Sequence, residues 1–177
     1  MLTQEQYQQA QQRSAEMLAK AGIALTPAEI ENIEVADLGL GELERTGVQL
    51  VVYINNERYC AKELILFPHQ TCPEHRHPPV AVDPGKTETF RCRWGKVWLY
   101  VPGESTRQVH AKVPLGSEPY YTIFHEIELN PGDQYTVPSN TLHWFQGGVE
   151  GAIVSEFSST NRDDTDVFTD PRIQRAT

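Results

Sequence analysis

Cysteine is scarce: Cys60, Cys72 and Cys92 are the only three in 177 residues. An odd count at irregular spacing is no disulfide framework, so the fold must rest on its core, and a reducing, cytoplasmic setting is expected. Positive charge is also short, with 15 Lys and Arg against 24 Asp and Glu and a net charge of −9. A surface that neutralises phosphates needs a basic face, so nucleic acid and anionic membrane are excluded as partners. No apolar run approaches the ~20 residues that span a bilayer. The opening MLTQEQYQQAQQRS is too polar to be a signal peptide. Internal repeats and low-complexity tracts are lacking as well. What remains is a chain with 39% hydrophobic and 22% charged residues, a globular balance, at a length that suits one domain with its own core.

The chain divides into three parts. Residues 1–34 read as a helical segment. A first helix over 3–21 has Thr3 as cap with Gln6 as its capping-box partner, and Gly22 stands where a left-handed C-cap is expected. A short second helix starts at Thr26-Pro27-Ala28-Glu29, with a cap, a proline in the first position and an acid at the third. Gly39, Gly41 and Gly47 then break the chain into a loop. From about 49 to 158 the texture is β-branched and aromatic, with strands expected at 49–55, 59–67, 87–93, 96–102, 121–129, 133–137, 142–146 and 152–158. Turns are expected at Asn55-Asn56, Trp94-Gly95-Lys96, Asn130-Pro131-Gly132-Asp133 and Gly147-Gly148. Many short strands without intervening helices indicate a sandwich or barrel rather than a parallel α/β sheet. Residues 159–177 are polar and acid-rich, and read as a surface extension.

The chemistry concentrates in Glu74-His75-Arg76-His77. Residues i and i+2 of a strand face the same side, so His75 and His77 would aim two imidazoles into one space. Glu88 follows eleven residues after His77, where a hairpin could return a carboxylate to the same face. Imidazole nitrogen with carboxylate oxygen suits Mn, Fe, Co, Ni or Zn. Taken alone, the segment reads equally well as a surface loop. A second segment, Gly132 then Pro138 then His143, changes that balance. With His75, His77, Glu88 and Gly95 (six residues lie between Glu88 and Gly95), it resembles the two motifs of the cupin superfamily. Four departures stand out: His69 and Asn140 occupy positions where the motifs prefer glycine, Gly147 replaces the usual Asn, and the gap from His77 to Glu88 is long. The resemblance implies a mainly β, cupin-type antiparallel barrel (jelly roll) with N-terminal helices, holding one divalent metal ion through His75, His77, Glu88 and His143.

A narrower resemblance extends from about residue 22 to 172. Asn32-Ile33-Glu34-Val35-Ala36-Asp37, Cys60-Ala61-Lys62-Glu63-Leu64, Gln70-Thr71-Cys72-Pro73-Glu74-His75-Arg76-His77-Pro78 and Lys86-Thr87-Glu88-Thr89-Phe90-Arg91-Cys92-Arg93 are similar to the D-lyxose ketol-isomerase family. The long spacing before Glu88 belongs to that family too. The resemblance implies reversible conversion of D-lyxose to D-xylulose, with D-mannose and D-fructose as a further pair, and a manganese cofactor that cobalt could replace. A monosaccharide substrate and a homodimer complete the expectation.

Two charges sit in apolar strands and need a reason to be there. Lys62 and Glu63 must point to opposite faces; alternation leaves open which faces inward, and the family resemblance favours Lys62. Glu156, in Ile153-Val154-Ser155-Glu156-Phe157, is the candidate general base or a partner of Lys62. Lys86, Trp94 and Phe145 are candidates for contact with the sugar. His69, His110 and His125 lack a partner spacing and read as surface or satisfied core histidines. An iron-dependent cupin dioxygenase and a non-catalytic sugar-binding cupin are the competing functions for the same ligand set.

Overall fold

The structure, a computed structural model, describes residues 2–174; residues 175–177 of the expected C-terminal extension lie outside the described residues. Two α-helices, α1 (Gln4–Lys20) and α2 (Pro27–Glu31), precede nine strands: β1 (Glu34–Ala36), β2 (Val48–Asn55), β3 (Cys60–Leu66), β4 (Thr71–Arg76), β5 (Glu88–Val101), β6 (His125–Leu129), β7 (Gln134–Val137), β8 (His143–Ser158) and β9 (Val167–Phe168). Both helices open on the expected capping boxes, Thr3 with Gln6 and Thr26 with Glu29. Gly22 follows α1 at φ +73°, the left-handed conformation glycine adopts at little cost. No described helix is long and apolar enough to cross a membrane.

The strands form one curled antiparallel sheet, the expected mainly β architecture. They run β1-β2-β3-β8-β4-β9, with β5 joining β8 to β6 and β7. One face of the curl holds an apolar core that includes Leu50, Leu64, Leu66, Phe90, Leu99, Phe145 and Val154. The opposite face is covered by α1, whose Ala10, Met17 and Leu18 pack against Val51, Ile65, Phe67 and Ile153. Leu18 is fully buried there, worth about 1.5–3 kcal/mol for a side chain of that size. A third cluster around Tyr100, Tyr121 and Trp144 closes one end.

Sequence and structure differ at the bulges. The expected strands 87–93 and 96–102 are one strand, β5, because Trp94-Gly95-Lys96 is a bulge rather than a turn. Gly95 takes φ +70°, and a Cβ there would collide with the Gly151 carbonyl oxygen. Likewise 142–146 and 152–158 merge into β8, with Gly147-Gly148 at a register shift against β5. The strand expected over 121–129 starts only at His125. Three strands lie outside those expected: β1, β4 and β9. β1 pairs with β2, and β9, inside the acid-rich extension, pairs with β4.

Candidate metal centre and adjoining cleft

Strand register builds the site. On the inner face Lys62 of β3 stands opposite Glu156 of β8, and Phe90 of β5 stands opposite the same Glu156 from the other side. One end of β8 sets His143 opposite His75 of β4. Glu88 opens β5, and His77 lies one residue beyond β4. The ligand-type nitrogens of His75, His77 and His143 all fall within 4.8 Å of one another.

Each ring is oriented through its Nδ1. His75 Nδ1 lies 2.7 Å from the Pro73 carbonyl oxygen, and His143 Nδ1 lies 2.9 Å from that of Thr141. His77 Nδ1 lies 2.5 Å from Asp166 Oδ1. With Nδ1–H donated outward, Nε2 presents a lone pair. His143 Nε2 is buried 2.8 Å from Glu88 Oε1 yet makes no hydrogen bond among the described residues. His77 Nε2 lies 3.2 Å from the same oxygen. With both Nε2 atoms unprotonated, they and the Glu88 oxygen converge as a donor set that one cation could bind from the side.

The electrostatics of His75 and Glu88 fit that reading. Burial, then the neighbouring His143 and His77, hold His75 well below its ordinary pKa, so its ring is a neutral donor of electrons. Burial pulls His77 the same way, but the Glu88 charge and the Asp166 hydrogen bond outweigh it and raise that group. Burial raises Glu88, but Lys86, His77 and His143 together drive it well below the usual carboxylate range. The cleft is lined by four carboxylates (Glu88, Glu156, Asp163, Asp166) and two ammonium groups (Lys62, Lys86). In formal charge that is an excess of two negatives, which one divalent ion cancels. Three imidazole nitrogens and a carboxylate oxygen suit a divalent first-row metal.

Beside the histidines lies a chain of buried ion pairs. Lys86 Nζ is 2.7 Å from Glu88 Oε2 and 2.9 Å from Glu156 Oε1, and Lys62 Nζ is 3.4 Å from Glu156 Oε2. Lys86 also donates to Asn161 Oδ1 at 3.3 Å. Burial disfavours the Lys86 charge, but Glu156 and Glu88 more than offset it, raising its pKa far above the ordinary value. Lys62 and Glu156 are 4% and 2% exposed, a placement that charged groups take only when paired. Glu63 points to the opposite face, where it accepts a hydrogen bond from Ser155 Oγ at 2.8 Å.

The structure thus brings together His75, His77, Glu88, His143, Lys62, Lys86 and Glu156, and Phe145 joins the cleft wall. Trp94 does not: it packs with the outer cluster under α1. Strand alternation puts Phe90 and Cys92 inward and would put Trp94 inward too. The bulge between Cys92 and Trp94 inserts one extra residue and turns Trp94 to the other face. His69, His110 and His125 stay outside the cluster; His110 stacks on Trp98 and pairs with Glu126. Asp163 and Asp166, both in the cleft, come from the segment read as a surface extension. The run of acids was visible there, but nothing local marked two of them as inward.

The two substitutions of motif glycines preserve the backbone. His69 takes φ +59° and Asn140 takes φ +56°, so each adopts the left-handed conformation that glycine would supply. His and Asn are among the residues enriched there. The long gap before Glu88 folds back on itself, with Val80 bridging Asp83, and delivers Lys86 to the cleft.

Comparison with known proteins identifies the family. The model of the D-lyxose isomerase family matches residues 4–177. The D-lyxose ketol-isomerase of Cohnella laeviribosi is 69% identical over 170 residues, covering 96% of this chain and 93% of its own. The D-lyxose/D-mannose isomerase of Thermosediminibacter oceani is 66% identical over 175 residues, covering 99% and 97%. Among solved structures, the L-ribose isomerase of Cellulomonas parahominis with L-ribose is similar in fold, with a TM-score of 0.77 over 99% of this chain and 98% of its own at 15% identity. Matched along nearly its whole length, the chain belongs to the D-lyxose isomerase family of aldose–ketose isomerases.

Proposed function

We propose that the chain interconverts D-lyxose and D-xylulose, and D-mannose and D-fructose as a second pair, with one divalent metal ion held by His75, His77, Glu88 and His143. Manganese is the metal of choice, with cobalt as a substitute. The observation that carries this reading is the meeting of three imidazoles and Glu88 beside Glu156, whose two oxygens each face a lysine ammonium. The bound ion supplies Lewis acidity toward the sugar oxygens.

The chain's own residues do the rest. Aldose–ketose isomerisation moves one hydrogen between C1 and C2 and one proton between O2 and O1. Glu156 takes the proton from one carbon and returns it to the other, through an enediol. Lys62 and Lys86 donate to oxygens on which negative charge develops. The apolar wall of Leu64, Phe90 and Phe145 excludes water from that exchange. The same reading takes the chain as a cytoplasmic homodimer. Cys60, Cys72 and Cys92 are buried and form no disulfide among the described residues. Tyr53 and Phe157, each about half exposed on the outer sheet face, are suited to subunit contact.

The discriminating test is aerobic against anaerobic turnover. Manganese-loaded protein incubated with D-lyxose under nitrogen should form D-xylulose at the aerobic rate. Dependence on oxygen and ferrous iron would point to the dioxygenase instead. Sugar binding without product would leave a binding module.

A further inference from the structure

We infer that Asp166 is a positioning residue for the metal ligand His77, so that the segment 159–174 is a working part of the site. The inference rests on the metal reading above. The three histidines are not oriented alike. His75 and His143 each direct Nδ1 at a carbonyl two residues upstream, Pro73 and Thr141, so their orientation is built into the local chain. His77 directs Nδ1 at a carboxylate 89 residues away in sequence. Both side chains of that pair are buried, at 6% and 3% exposure.

The segment is fastened on both sides of Asp166. Before it, Asn161 and Asn55 exchange two hydrogen bonds of 3.0 Å, and Arg162 pairs with Asp83 at 3.1 Å. After it, Phe168 stacks on the His75 ring with centroids 5.2 Å apart. Thr169 donates its hydroxyl to Glu74 Oε1 at 2.8 Å and its N–H to the Glu74 carbonyl at 3.0 Å. Glu74 is itself buried and accepts from the Thr122 and Ile123 backbone at 2.6 and 3.2 Å. It is thus a knot between the ligand-bearing strand and the segment that bears Asp166.

A carboxylate that accepts Nδ1–H does two things for a ligating histidine. It fixes the ring with its lone pair on Nε2, and it makes that nitrogen more basic. The carbonyls behind His75 and His143 do the first and, being uncharged, less of the second. Asp166→Asn keeps an acceptor oxygen and removes the charge; Asp166→Ala removes both.

The test is a titration of metal-free full-length protein with Mn2+, following the free ion by electron paramagnetic resonance, with thermal melting of the metal-free protein in parallel. Asp166→Ala should weaken Mn2+ binding by roughly 10–100-fold, with Asp166→Asn between it and the wild type. The metal-free melting midpoint of Asp166→Asn should stay near that of the wild type, because the isosteric side chain keeps the segment in place. A purely structural role would move the melting midpoint and leave the affinity of the Asn variant unchanged. If the wild type binds Mn2+ and Asp166→Asn binds it within about twofold, well inside the range expected for such a partner, the inference is overturned while the metal site stands. If the wild type takes up no Mn2+, the metal reading itself fails and the inference falls with it.

Discussion

Glu156→Gln should lower turnover of D-lyxose by roughly 10²–10⁴-fold, the usual cost of removing a general acid–base group, while metal content stays that of the wild type. Glutamine keeps the shape of the side chain and loses the base. Its oxygen can still accept from Lys86, which sits 2.9 Å from Glu156 Oε1. Its amide nitrogen, however, would face Lys62, now 3.4 Å from Oε2, and two donors would meet in a buried place. A lower melting midpoint is therefore expected along with the lost activity, and turnover must be measured where the variant is fully folded. Lys62→Met should cost about 10²–10³-fold, as for the loss of one donor to a developing oxyanion, again with metal retained. Near-normal turnover in Glu156→Gln would mean that hydrogen transfer proceeds without a carboxylate base, as a hydride shift would.

The second large effect is on the ligands. His75→Ala, His77→Ala and His143→Ala should each abolish metal retention after dialysis against a chelator, and activity with it. His143 is fully buried, with Nδ1 held by the Thr141 carbonyl and Nε2 facing Glu88 Oε1 at 2.8 Å, the placement of a ligand to a shared ion. The fold should survive, because the inner core of Leu66, Leu99, Ala152 and Val154 is an apolar cluster that includes none of the histidines. Circular dichroism and bound-metal analysis on each variant check this. Full metal stoichiometry in any one of them would remove that residue from the site.

Much of this site was legible because a strand has a period of two. The spacing of His75 and His77 and the opposition of Lys62 to Glu63 rest on that period, the family resemblance favoured Lys62, and Glu156 stood out as a charge in an apolar strand; the cleft contains His75, His77, Lys62 and Glu156. Trp94, offered as a sugar contact, lies on the other face because β5 carries a bulge between Cys92 and Trp94 that the sequence reading did not include. Bulges also explain why Gly95 and Gly147-Gly148 looked like turns: glycine marks a backbone departure without saying whether the strand resumes. The caps of both helices were visible because Thr3, Gln6, Thr26 and Glu29 act within one turn. Asp166 and Glu74 were not, for the converse reason. Their partners, His77, Thr122 and Thr169, lie 89, 48 and 95 residues away, and β9 is a two-residue strand inside polar sequence. Pairings of that kind leave no periodic trace.

The central claim is that these three histidines and Glu88 hold the ion on which isomerisation depends. It is tested most directly by stripping the protein with chelator, returning Mn2+ in steps, and measuring bound metal and D-xylulose formation on the same samples. Turnover should be near zero in the stripped protein, rise in proportion to bound manganese, and level off at one ion per chain. Full turnover of D-lyxose in thoroughly metal-free protein would contradict the account.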